Sequence, residues 1–262
     1  MKDVVVYKDE IFTEPRDSQG NILILDGNKA ERYEIINCAF HFSPIPYPKE
    51  DEFITGINGA HVVIKNCIFL GGIKPIMCGN GDSPCADISR GRLEMERCFL
   101  AYGGRRCPEV KHGVTATMRD CWLYNWGATF DTRAFGAWAT DGGRIAAEHC
   151  VFTQYHNRLG LKNSIKDIAN HVGDAVNRKG ILEIFKPRNY KRGIYRALTA
   201  TDTGLVFASK CYRNDERIII QNCEEYIDYV AATDIVARIA DSCSMFTEYF
   251  QSSMMDMWWE LR

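Results

Sequence analysis

One short pattern, set around a cysteine, recurs along this chain and limits what the chain can fold into. Aligned on Cys38, Cys67, Cys98, Cys121 and Cys150, the segments read YEIINCAF, VVIKNCIF, LEMERCFL, ATMRDCWL and IAAEHCVF. Five residues before each cysteine stand Tyr33, Val62, Leu93, Ala116 and Ile145, and three before stand Ile35, Ile64, Met95, Met118 and Ala147. Two after stand Phe40, Phe69, Leu100, Leu123 and Phe152. The position two before is mostly charged, with Ile36, Lys65, Glu96, Arg119 and Glu148. Apolar residues at odd offsets and polar ones at even offsets are the alternation of a half-buried strand.

Successive cysteines lie 29, 31, 23 and 29 residues apart. A helical repeat would carry a period near 3.6 inside each unit, and none is present. A period of two inside a unit of this length predicts one coil of a β-solenoid, with loops of unequal length between strands. The expected fold is all-β: a right-handed parallel β-helix with an amphipathic helix and an irregular C-terminal cap. Like residues then stack coil upon coil, a cysteine ladder beside an aromatic and leucine ladder. Just before the cysteines stand Asn37, Asn66, Arg97, Asp120 and His149, and Asn222-Cys223 suggests a later coil. Asn at a coil corner can satisfy turn backbone groups through its amide. The competing architecture is a β-sandwich in which the cysteine spacing is coincidence.

The 262 residues are read as a single β-helix domain, with regular coils over 1–155 and a helix insertion, further coils and a C-terminal cap over 156–262. Ser164 to about Lys179 reads as an amphipathic helix, capped by Ser164 and ended by Gly180. Strand-like runs return at 181–185, 204–209 and 216–223. The tail from Glu224, with Met254, Met255, Trp258 and Trp259 near its end, predicts a cap over an otherwise open solenoid edge. A partner-binding surface is the rival reading of that tail.

A formal charge of −2 supplies no bulk basic field for nucleic acid, and no apolar run reaches a membrane-spanning length. The eleven cysteines lack zinc-type spacing, and the start MKDVVVYKDEIF carries no secretory pattern. Buried, reduced thiols made in a reducing cytoplasm follow from this.

A long strand face suits a polymeric ligand, so charges on neighbouring coils matter. Lys74 and Arg106 lie 7 and 8 residues after their ladder cysteines, and Lys111 opens the approach to the next coil. Equivalent positions on adjacent coils are about 4.8 Å apart, so these cations can reach one carboxylate. Set against that, exposed basic residues are usually just solvated.

The segment Arg106-Cys-Pro-Glu-Val-Lys111-His-Gly113, running into VTATMRDCWLYNWG, resembles the pectate and pectin lyase signature R-x-P-x-x-R-x-G and its flanking coil. FGAWATDGGRIAAEHCVFTQ (135–154) and KPIMCG (74–79) are similar to the family's next and preceding coils. The resemblance spans roughly residues 1–155. It implies β-elimination on an acidic, uronate-containing polysaccharide. By the resemblance Arg106 is the base, Lys111 and Lys74 bind the substrate carboxylate, and Arg105 and His112 join the substrate-binding set. Cations there would stabilise the enolate-like charge formed when C5 loses its proton. Lysine at 111 keeps the charge of the family's arginine but loses its bidentate fork.

The family's pectate lyases also hold calcium, so the expected cofactor is none or Ca²⁺. The nearest matches to the calcium ligands are Gln19 and Asn21 on one coil and Glu50 and Ile54 on the next, a poor cage. Asp17, Glu50 and Asp51, with Glu52 beside them, would supply carboxylates under a shifted alignment.

Three functions follow from these residues. The first is a polysaccharide lyase. The second is a non-catalytic glycan-binding β-helix, such as a phage tailspike-type receptor-binding protein, active as a monomer or trimer. The third, a β-helical glycoside hydrolase, would need two carboxylates flanking the scissile bond, and the motifs of that option are missing. Export of a lyase conflicts with the absence of a signal; a virion component released by host lysis, or removal of a signal, resolves the conflict.

Overall fold

The computed structural model describes residues 2–12, 21–40, 52–70, 74–79, 91–101, 103, 105–124, 126, 135–154 and 195–243. These residues form a right-handed parallel β-helix of three seven-stranded sheets. Sheet A contains Val4–Lys8, Arg32–Ile36, His61–Lys65, Arg92–Glu96, Thr115–Arg119, Arg144–Glu148 and Leu205–Ser209. Sheet B contains Ile11–Phe12, Ala39–Phe40, Ile68–Leu70, Phe99–Ala101, Trp122–Tyr124, Val151–Thr153 and Tyr212–Arg213. Sheet C contains Leu23–Asp26, Ile54–Ile57, Ile76–Cys78, Glu109–Val110, Ala137–Ala139, Tyr195–Ala200 and Ile218–Ile220.

The register is the one the repeat predicts. Leu93 pairs with Val62 and Ala116, and Met95 with Ile64 and Met118. These side chains fill the solenoid interior, together with the free, buried thiols of Cys38, Cys67, Cys98, Cys121 and Cys150. The thiols are satisfied by backbone carbonyls: Cys67 Sγ donates to Lys65 O (3.1 Å) and Cys150 Sγ lies 3.5 Å from both Met118 O and Glu148 O. Beside them Phe12, Phe40 and Phe69 stack face to face, each neighbouring pair 4.7 Å apart.

A sixth rung of the ladder is Cys211, buried and preceded by Lys210. The pair Asn222-Cys223 does lie on a further rung, but out of phase with the ladder. Cys223 bridges Ala208, and Tyr226 takes the place opposite Cys211.

The residue before each ladder cysteine turns the corner between sheets A and B in the left-handed region. Asn37, Asn66, Arg97, Asp120, His149 and Lys210 all have φ between 50° and 54°. Asn and Asp tolerate this conformation; Arg97, His149 and Lys210 hold it at a cost of about 1–2 kcal/mol each. The corner side chains also bond along the stack, Asn37 donating to Asp9 and Arg97 to Asn66.

The segment after Cys223 covers part of the last edge, with Glu224 N donating to Ala208 O and Ile227 N to Cys211 O, both at 3.0 Å. A helix, Tyr229–Ser242, then follows, its first turn capped by the Asp228 carboxylate, which accepts from Ala231 N at 2.9 Å. Ala232, Ile235, Val236 and Ile239 form its buried face. It lies against the outside of sheet B: Tyr229 meets Tyr212 edge-on, and Arg238 donates to Asp120, two coils earlier. The outer positions of sheet B are apolar and buried to receive such cover, among them Ile68, Phe99, Trp122 and Val151. The helix expected over 164–179, the run at 181–185 and the tail residues Met254, Met255, Trp258 and Trp259 lie outside the described residues.

Candidate functional site

Sheet C brings the cations of the lyase-like segment together. Its pairing sets Ile54 opposite Ile76 and Met77 opposite Glu109. Continued backwards, that register puts Asn21, Glu52, Lys74 and Arg106 in one column across four coils. Arg106 Nη1 donates to Glu52 Oε1 at 3.1 Å, and Lys74 Nζ lies 3.7 Å from the same oxygen. Thr55 Oγ1 donates to the other oxygen, Glu52 Oε2, at 2.8 Å and lies 3.3 Å from Asn21 Oδ1. Arg106 also pairs directly with Glu109 through Nε. Lys111 stands two residues beyond Glu109 on the same face, lying over Gly79, where a Cβ would come 2.6 Å from its Cγ. Gly79 is held at a φ of 138°, which with that close approach admits no other side chain without strain.

Five charged side chains thus gather where three cations were expected. The two acids change what the cluster can do. Lys74, Glu52, Glu109 and Lys111 are 0%, 3%, 2% and 4% exposed, and the Arg106 side chain 11%. The cations were expected on a strand face open to a polymer; the cluster is buried instead, Lys74 most deeply. The reason lies in the sheet. The outer column of sheet C runs Ile24, Thr55, Met77, Glu109, Trp138 and Thr199, and every member after the exposed Ile24 is buried. Burial pushes the Glu109 carboxyl above the usual carboxylate range, and Arg106 and then Lys111 pull it part of the way back.

Arg105 and His112 flank this cluster. Arg105 is half-buried and adds to the positive field at Glu109. His112 is a corner residue, with φ of 52° beside Gly113 at 77°, in register with Asp141. Its backbone conformation matches that of Asn58, Asp141 and Asp202 at equivalent corners. Asp17, Glu50 and Asp51 lie outside the described residues. Of the earlier calcium candidates, Ile54 is a buried core residue, and Glu52 directs its two oxygens at Arg106, Lys74 and Thr55. Among the described residues no three His, Cys, Asp or Glu side chains gather to hold a metal ion.

A second site was not singled out from the sequence. The outer face of sheet A carries a groove of about 330 Å³ over four successive coils, lined by Lys65, Arg92, Glu94, Glu96, Thr117, Arg119, Ala146 and Glu148. Thr117 and Ala146 are small and in register with each other and with Glu94, so they form a low floor along the solenoid axis. The walls are charged and solvent-exposed. Lys65 Nζ lies 3.2 Å from Glu96, Arg92 Nε 2.9 Å from Glu94, and Arg119 Nε donates to Glu148 at 3.2 Å. His61 Nε2 sits 2.9 Å from the same Glu94 oxygen that Arg92 contacts. Beside the groove the register column His61, Arg92, Thr115, Arg144 carries two guanidinium groups, of which Arg92 lines the groove itself. Each charged residue of the lining is an outward strand position, which taken singly reads as a solvated charge; only the register shows that they line one channel. The chain matches no protein-family profile and no curated protein.

Proposed function

We propose that this protein is a glycan-binding β-helix that holds an extended, acidic polysaccharide along the outer face of sheet A without cleaving it. The observation that carries the reading is the open groove of paired guanidinium, ammonium and carboxylate groups over a floor of Thr117 and Ala146. Sugar hydroxyls need both donors and acceptors, and these pairs supply both within one rung spacing. Exposed ion pairs contribute about 0–1 kcal/mol, so a ligand can displace them at little cost. The groove cations Lys65, Arg92 and Arg119, with Arg144 in the adjoining column, can pair with ligand carboxylates.

The lyase reading draws support from Lys74, Arg106 and Lys111 lying on neighbouring coils, as the resemblance to pectate and pectin lyases implies. A base, however, must offer a lone pair. Arg106 spends its guanidinium as a donor to Glu52 and a partner to Glu109, and a guanidinium so held has no lone pair to take a proton from C5. The buried setting of Lys74 also gives a polymer no direct approach to it.

The test is calorimetric titration with polygalacturonate, alginate and a neutral galactan, in EDTA, with absorbance near 235 nm followed in parallel. Binding of a uronate polymer without a rise at 235 nm is expected, together with a loss of at least tenfold in the Arg92→Ala/Arg119→Ala variant. A rise at 235 nm that Arg106→Ala abolishes would establish the lyase instead. Failure of all three polymers to bind would defeat the glycan reading.

A further inference from the structure

We infer that Phe207 is a stacking platform for a pyranose ring at the end of the sheet A groove; this rests on the glycan-binding reading and names a residue for it. Phe207 pairs with Ala146, which pairs with Thr117, so the ring continues the groove floor in the same column. It lies one rung, about 4.8 Å, beyond Ala146 and two beyond Thr117. The side chain is 57% exposed, and Leu205 beside it on the same face is 44% exposed. Neither belongs to the solenoid core, which Val206 and Ala208 supply from the opposite face of this strand. Stability of the coil therefore does not account for an aromatic ring at this position.

The neighbouring side chain explains why the ring is usable. Ala146 ends at its Cβ, so the side chain next to the ring in its own column does not rise over it. A ligand following the floor from Glu94 over Thr117 and Ala146 meets the Phe207 face next. A sugar ring presents C–H groups on its faces and hydroxyls around its edge. Its apolar face matches the π surface, and its edge hydroxyls can reach the Arg119–Glu148 pair beside the floor. The charged part of the groove and the aromatic end thus ask for one ligand: a polyhydroxylated ring with an apolar face, linked to a carboxylate-bearing unit.

Phe207→Ala and Phe207→Trp separate this role from mere surface packing. With the uronate polymer that wild type binds, Phe207→Ala should weaken affinity about tenfold at unchanged thermal stability. Phe207→Trp should bind as wild type does, and its added exposed indole should change emission saturably with ligand, where wild type shows no such change. Phe207→Ala binding within twofold of wild type, while Arg92→Ala/Arg119→Ala binds poorly, would overturn the stacking role and leave the groove assignment standing. No polymer binding to wild type would remove both.

Discussion

Arg106 reaches Glu52, 54 residues away in sequence, across 3.1 Å, and Lys74 shares the same carboxylate oxygen. Glu52 is thus the anion that two buried cations on adjacent coils of sheet C share, with Glu109 as a second partner of Arg106. A buried pair contributes little net stability relative to an apolar replacement, but removing one partner leaves an uncompensated charge in a dry site. Glu52→Gln keeps the shape and the bond from Thr55 while deleting that charge. It should destabilise the fold by about 3 kcal/mol in urea titrations. A loss below about 1 kcal/mol would mean that Glu109 and other partners, rather than Glu52, compensate Arg106 and Lys74.

The in/out phase of the coils makes a sharper stability prediction. Phe69 lies between Phe40, stacked at 4.7 Å, and Leu100, its register partner on the next coil. Phe69→Ala should cost about 3–5 kcal/mol, since Phe40 and Leu100 are held in place by their own coils and cannot close the cavity left between them. Lys65, four residues earlier, points outward with a half-exposed ion pair to Glu96. Lys65→Ala should cost under about 0.5 kcal/mol. Comparable small losses at both positions would contradict the register.

How much of this was legible follows from which faces are wet. Sheet A shows in the sequence because Ile35, Ile64 and Met95 alternate with polar residues before a fixed cysteine; sheet B, apolar on both faces, shows because its Phe or Leu stands at a fixed offset after that cysteine. Sheet C does not show, because Thr55, Met77 and Trp138 are covered on its outside and no alternation survives in strands as short as Glu109–Val110. Cys211 escaped because Arg213 stands two residues after it, where the other rungs carry Phe or Leu, while Asn222-Cys223 imitated the pattern three positions out of phase with it. The three cations were visible through the lyase-like segment. Glu109 lies within that same segment, yet its role depends on a fold in which the sheet C exterior is buried. Glu52 was weighed only as a calcium ligand; its column with Lys74 needs the register of sheet C, which local sequence does not encode.

Fully buried thiols make the fold sensitive to alkali. Burial pushes the thiols of Cys67, Cys98, Cys121 and Cys150 well up, and that of Cys78 to about 12. In the unfolded chain the same groups ionise from about pH 8.5. Between those limits the folded state keeps protons that the unfolded state has released, so unfolding releases protons and stability falls as pH rises. The contribution is fully present below about pH 8.5 and is lost progressively as pH climbs toward the folded values. Each thiol adds a slope of about 1.4 kcal/mol per pH unit once its unfolded form is ionised. Urea titrations in reductant at pH 7, 9 and 10 should therefore show a steep decline above pH 9. Cys121→Ala should start from a lower stability at pH 7 but decline less steeply by one thiol's share. A stability unchanged between pH 8 and 10, or a native-state reaction of these thiols with a disulfide reagent as fast as that of free cysteine, would show that the ladder is open to solvent.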